Sequence, residues 1–372
     1  SPTFDFHFKL SHADLNALNL VKKYPLALLS FDSNINMVGN PIDQLNGTIE
    51  VDNIQFTNQH KTLNVQKIQL TSRQEPDLTS FIISSDFVNG YMNGRYNYNT
   101  LPQTFKKLIQ NYLPSLSFDY NSSASQKPNY FNVDLQISNI KELTEVLQIP
   151  YTLKENSIIK GSVDERNNTV NLTADFPSFQ KGKNEFKNTT LSLQTENQQL
   201  QLTTNTQLKQ KNGFMNIYLK ALAGENVVST LFAWQNTDSI KNAGEFQTVT
   251  QLRKENNKTF AQLFILPAEV IISNSLWNIH PSTLDFKPDG SIYVHNFLFD
   301  NDQDQYIQID GIASKNQDDA LKFKLKGVDF SFIMNDLVKL KALSLGGFFT
   351  GEATMYSALY QPFFEAKMFV KD

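Results

Sequence analysis

The chain has 372 residues, 40% of them hydrophobic and only 19% charged, so Asn, Gln, Ser and Thr supply much of its polar surface. A net charge of -4 gives no basic stripe for a polyanion to follow, so nucleic acid is not expected as a partner. The count of 0 cysteines excludes disulfides, zinc–thiolate sites and thiol nucleophiles.

The first element is a strand in which Phe4, Phe6, Phe8 and Leu10 alternate with Asp5, His7 and Lys9. Successive side chains leave opposite faces of a strand, so this alternation makes one greasy face and one wet face. Ala13 to Lys22 follows Ser11 and carries Leu15, Leu18 and Val21 at helical spacing, which predicts a short helix. Further on the apolar phase slips by one residue, from Ile49 and Val51 to Ile54 and Phe56, and again from Leu63 and Val65 to Ile68 and Leu70. Such a slip is what a β-bulge or a corner produces. A second helix is expected over Gln103 to Leu113, between Pro102 and Pro114, with Phe105, Leu108, Ile109 and Tyr112 on one side. Ser122 to Lys127 reads as a surface loop.

Phe131, Val133, Leu135 and Ile137 alternate with Asn132, Asp134, Gln136 and Ser138 in the next strand, and Asn139 to Gln148 predicts a helix that ends before Pro150. Met215, Ile217, Leu219 and Ala221 repeat the strand pattern. The apolar run Phe264 to Ile272 is interrupted by Pro267 and Glu269, and no run approaches the roughly 20 residues that span a bilayer. Another slip separates Ile292 and Val294 from Phe297 and Phe299. Leu321, Phe323 and Leu325 then alternate with lysines, and Ser331 to Leu345 predicts a helix stopped at Gly346 and Gly347. Strand followed by short helix and Gly-containing strand thus recurs irregularly, with units starting near residues 4, 131 and 321. A long sheet with many bulges should curl. The chain reads as one continuous β-rich segment over residues 1–372, and strands at both ends suggest a piece of a longer protein.

Catalytic chemistry is not visible. His7, His12, His60, His280 and His295 show no metal-ligand spacing and neighbour no nucleophile motif. Asp300, Asp302 and Asp304 imitate the start of a calcium-binding loop, but Gln305 and Gly311 stand where the tight turn and the bidentate carboxylate belong; a polar hairpin turn explains them better. No phosphate-binding loop, nucleophile elbow or dinucleotide fingerprint occurs, so neither an enzyme nor a cofactor or metal is expected. Trp234 and Trp277 invite a sugar platform, yet 29 Phe against 2 Trp favour buried apolar surface.

Several stretches carry a family resemblance: GTIEVDNIQF at Gly47 to Phe56, Leu63 to Ser72, Phe81 to Gly94, Leu108 to Pro114, Leu266 to Pro281, and Ile292 to Gly311. Together they resemble the TamB translocation and assembly modules of the AsmA-like group in Gram-negative bacteria. The resemblance runs through most of the chain and rests on strand patterns. It implies a periplasmic middle piece of an elongated, U-shaped β-sheet with an apolar inner trough, anchored in the inner membrane by a segment outside this sequence. It also implies a role in outer-membrane biogenesis, with phospholipid as cargo and an outer-membrane assembly protein as partner of other parts of the chain.

The residues point to the same trough. One-sided strands must bury their apolar face against a second layer, a ligand, or the sheet curled on itself, and the helices are too few to cover so many strands. The candidate lipid-groove residues are Phe4, Phe6, Phe8, Phe131, Val133, Leu135, Ile137, Ile217, Leu219, Leu321, Phe323 and Leu325, expected to line one acyl-accessible surface. The competing expectation is an all-β binding or adhesion module in which the same faces close an ordinary sandwich core.

Overall fold

The computed structural model describes residues 2–39, 46–75, 78–118, 127–329 and 347–371. The fold is mainly β: strands hold 68% of the described residues and helices 6%, and every strand pairing among them is antiparallel. The chain divides into two compact units, Ser1–Asn111 with Asp119–Gln210, and Tyr112–Phe118 with Lys211–Asp372.

The first unit is a meander of β1 (Thr3–Asp14), β2 (Ala27–Val38), β3 (Asn46–Asn58), β4 (Thr62–Glu75), β5 (Leu78–Ser85), β6 (Val88–Arg95) and β7 (Tyr130–Ile137). It continues through β9 (Ser157–Asp164), β10 (Thr169–Lys181), β11 (Asn184–Glu196) and β12 (Gln199–Gln210), with the short β8 (Tyr151–Leu153) beside β10. Helix α1 (Leu101–Tyr112) links β6 to β7, and α2 (Lys141–Val146) follows β7.

The second unit contains β13 (Gly213–Gly224), β14 (Val227–Asn236) and β15 (Ala243–Glu255). β15 then pairs at one end with β16 (Lys258–Ile265) and at the other with β17 (Ala268–Ile272). Through β18 (Ser275–Ile279) and β19 (Ser282–Phe286) both branches rejoin on β20 (Ile292–Asn301). The unit finishes with β21 (Tyr306–Ala313), β22 (Ala320–Asp329), β23 (Phe348–Tyr356) and β24 (Phe363–Lys371).

Two of the three phase slips are bulges; the third, between Val65 and Ile68 on β4, pairs one-to-one with β3 and carries no extra residue. At Asn53 (φ 53°) β3 carries an extra residue against β2, and at Asn296 (φ 45°) β20 carries one against β21. His12, Asn188 and Gly327 do the same on β1, β11 and β22, each with left-handed φ. Asn tolerates that conformation better than other side-chain-bearing residues, which accounts for its use here. Two glycines show a second device: Gly90 (φ 156°) and Gly161 (φ 144°) bring their backbones so close to a neighbouring strand that a Cβ would lie 2.0 Å from the Asp134 carbonyl oxygen and 1.8 Å from that of Asn171. Only glycine fits either place.

Two expectations need revision. Ala13 to Lys22 is not a helix: β1 runs on to Asp14 through its bulge, and the following residues form turns. The Asp14 carboxylate accepts the Asn16 and Ala17 N–H groups, and the Asn16 amide donates to the Val21 and Tyr24 carbonyls, so short polar side chains take backbone partners that a helix would need. The first of the three strand–helix units therefore lacks its helix. The other two helices before residue 150 form as expected, somewhat displaced, as α1 and α2; Ser331 to Leu345 and most of Ser122 to Lys127 lie outside the described residues.

Candidate functional site: an apolar sheet face closed by helices at its ends

Residues directly opposite in an antiparallel ladder share a face, so the register can be followed from strand to strand. Starting at Phe6 on β1, the row passes through Ile35, Ile49, Leu70, Ile83, Gly90, Leu135, Ile159, Ala174 and Leu191. A parallel row joins Phe81, Met92, Val133, Gly161, Leu172, Leu193 and Leu202. On the reverse face the rows are mostly polar, as in Asn34, Glu50, Gln69, Ser84, Asn89 and Gln136, with exposed Ile82 and Ile158 among them. One face of the first unit is thus apolar across β1 to β12.

Helix packing closes that face at both ends of the strands. Leu108 of α1, 2% exposed, packs with Tyr96, Phe131, Val163 and Val170, and Leu101 and Phe105 lie against the same cluster. Val146 of α2, 1% exposed, packs with Leu63 and Val65, with Leu143, Phe56 and Ile68 alongside. Between the two clusters, Ile35, Ile49, Leu70, Ile83, Leu135 and Ile159 are only half-buried, and Val133 borders the α1 cluster.

Polar side chains fix both helices. Glu165 on the β9–β10 turn accepts hydrogen bonds from the Thr104 hydroxyl at 2.9 Å, the Lys107 ammonium at 2.6 Å and the Asn129 N–H at 3.1 Å. The Asn129 amide donates in turn to the Thr100 and Thr104 hydroxyls. Burial pushes the Glu165 carboxyl up, but its bonds from Lys107, Asn129 and Thr104 outweigh that and hold it below the usual carboxylate range. Beside it Asp164 is held at about 2, chiefly by the Arg166 guanidinium, which also lies over the Tyr130 ring. Burial, with Tyr98 adding to it, raises the Tyr96 phenol far above its ordinary value; its hydroxyl donates to the Met92 carbonyl at 3.0 Å. The last carbonyls of α2 are capped from a distance: Val146 by the Asn58 amide at 2.7 Å, and Leu147 by Lys23 Nζ at 2.7 Å and the Tyr24 hydroxyl at 2.8 Å. Lys61 pairs with Glu145 on the same helix.

The second unit carries its own apolar face. Ile217 and Leu219 lie opposite Trp234 and Phe232, and Phe246 completes an aromatic group with ring centroids 5.6–6.2 Å apart. Further along, Phe299, Ile307, Leu325 and Gly351 share one row, and Ile309, Phe323 and Ala353 another.

The candidates therefore divide. Phe4, Phe6 and Phe8 stand 42%, 48% and 46% exposed on β1, while Val133, Leu135, Ile137, Ile217, Leu219 and Phe323 are half-buried on apolar faces. Phe131, expected on the accessible surface, is 7% exposed because α1 covers it. Leu321 and Leu325, at 8% and 5%, are likewise buried, on the β22–β23 ladder that also holds buried Val328, Phe349 and Ala353. Ile35 and Ile83 were missed as candidates; only the register shows that they share a row with Phe6 and Leu135.

Among the described residues no three His, Asp or Glu side chains gather as metal ligands. Asp300 accepts from Asn278 and pairs with His280 at 3.0 Å, whereas Asp304 pairs with Lys326, so the acidic run separates across a β20–β21 hairpin turn. His295 pairs with Asp285 at 2.9 Å and stands edge-on to Tyr293. Trp277 is 8% exposed and stacks on Phe299 at 4.7 Å, as a core residue does. No described helix is long and apolar enough to cross a membrane. Neither protein families, curated proteins nor solved structures give a match to this chain.

Proposed function

We propose that this chain is a periplasmic segment of a TamB-like envelope bridge that holds phospholipid acyl chains against its apolar sheet faces. In this reading the sheet curls into an elongated trough, and the membrane anchor and the contact with an outer-membrane assembly protein belong to other parts of the protein. The observation that carries it is the half-buried apolar face of the first unit, continuous in register from Phe6 to Leu191 and, among the described residues, covered by helix only at its two ends. Burying an acyl chain contributes about 0.8 kcal/mol per methylene, so such a face retains lipid without any specific contact. Uniform hydrocarbon contacts also let the chain slide.

The alternative, a binding or adhesion module with closed cores, draws on the buried Leu321, Leu325, Val328, Phe349 and Ala353 of the second unit. Chloroform–methanol extraction of the purified chain followed by mass spectrometry separates the two. The lipid-holding reading expects stoichiometric phospholipid. Protein that is free of lipid and takes none up from vesicles would count against it.

A further inference from the structure

On the polar face of the first unit, cross-strand neighbours usually satisfy one another. Ser80 donates to Asn93 at 2.7 Å, Ser84 to Asn89 at 2.9 Å, and Thr48 bonds Thr71 at 3.4 Å. One area departs from this. A depression of about 530 Å³ is lined by Tyr91, Asn132, Asp134, Lys160, Ser162, Asn171 and Thr173, with the backbone of Val133 and Gly161 in its wall. The register arranges the side chains as two rows, Asn132–Ser162–Asn171 and Tyr91–Asp134–Lys160–Thr173. Strand spacing sets neighbours about 4.8 Å apart within a row, and the rows about 7 Å apart. Yet among the described residues the side chains of Tyr91, Asn132, Asp134, Lys160, Ser162 and Asn171 make no hydrogen bond or ion pair with the protein, even where Asp134 and Lys160 stand opposite each other. Tyr91 presents its ring to solvent, 40% exposed.

The geometry points to a binding site for a neutral saccharide on this face. Its volume lies within the range of about 300–1,000 Å³ for small-molecule sites, and its surface is shared about equally between polar and apolar atoms, which favours an amphipathic ligand over hydrocarbon. One carboxylate and one ammonium cancel, which favours neither a phosphate nor a cation. Amides, hydroxyls and the Asp–Lys pair offer donors and acceptors in alternation, as the hydroxyls of a sugar require. Tyr91 adds an aromatic face for its C–H surface, with a hydroxyl at the rim. The site lies opposite the apolar face and stands whether or not that face holds lipid.

Saturation-transfer NMR on the whole chain with maltotriose, cellotriose and tri-N-acetylchitotriose, each at millimolar concentration, tests it. At least one sugar should show transfer. Tyr91→Ala and Asn171→Ala should each weaken that binding tenfold or more, while Tyr91→Phe and the distant polar-face change Gln69→Ala retain it. Circular dichroism confirms that each variant is folded; Tyr91 and Asn171 are exposed, so folding does not depend on them. Absence of transfer from all three sugars, or undiminished binding by folded Tyr91→Ala and Asn171→Ala, would overturn the assignment.

Discussion

Phe131 and Phe6 belong to the same apolar face but differ in what covers them, and truncating each to alanine measures that difference. Phe131 is 7% exposed, meets Tyr96 edge-to-face at 5.9 Å, and packs with Leu108 and Val163. Removing its ring leaves a cavity between α1 and the sheet, at a cost of about 3–5 kcal/mol, the lost edge-to-face contact included. Phe6 is 48% exposed on β1. Full burial of such a side chain is worth about 1.5–3 kcal/mol, so with half its surface already in water its loss costs roughly 1 kcal/mol, and no cavity is made. Urea unfolding followed by near-UV circular dichroism of the tyrosines is the suitable assay, because Trp234 and Trp277 both lie in the second unit and their fluorescence reports only on that unit. A Phe131→Ala destabilisation no larger than that of Phe6→Ala would refute the claim that α1 closes this end of the face.

The pin between α1 and the β9–β10 turn predicts a pH dependence. Glu165 has a folded pKa below its unfolded value of about 4.3, so its contribution is complete above that value and is lost as pH falls through the folded one. Urea titrations at pH 6 and pH 3 should show this loss, and Glu165→Gln should be less stable at pH 6 and lose less on acidification; an unchanged pH dependence would exclude the pin. Leu135→Asp, a charge in the half-buried row opposite Gly90 and Ile159, should cost roughly 2 kcal/mol and abolish lipid retention, whereas Gln136→Glu on the polar face should stay within about 0.5 kcal/mol and retain lipid. Equal behaviour of the two variants in urea unfolding and lipid extraction would mean that the register of β7 is wrong.

Strict alternation made β1, β7, β13 and β22 legible, since a one-sided strand leaves its period in the sequence. The slips at Val51–Ile54 and Val294–Phe297 were legible for the same reason, as apolar residues stand on both sides of Asn53 and Asn296. The bulge at Asn188 was not: its neighbours Lys187, Thr189 and Thr190 carry no apolar phase to slip. Leu15, Leu18 and Val21 imitate a helix face, but spacing alone does not register that Asp14 and Asn16 hold the local backbone in turns. The burial of Phe131 depends on Leu108, brought over it by a helix more than 20 residues upstream, and no local pattern encodes that contact. The rows themselves are a property of pairing: that Ile35, Ile83 and Leu135 share a face follows from register, which is set between strands and not within them.

The central claim, that the open apolar face holds acyl chains, is tested most directly by a photo-crosslinking residue placed at Leu135 or Val133, with Gln136 and Asn132 as polar-face controls. After irradiation in cells of a Gram-negative host, the protein is purified and its adducts are identified by mass spectrometry. The account predicts phospholipid adducts at Leu135 and Val133 and none at Gln136 and Asn132. Folded protein without lipid adducts at either apolar position, or with adducts equally frequent on both faces, would contradict it.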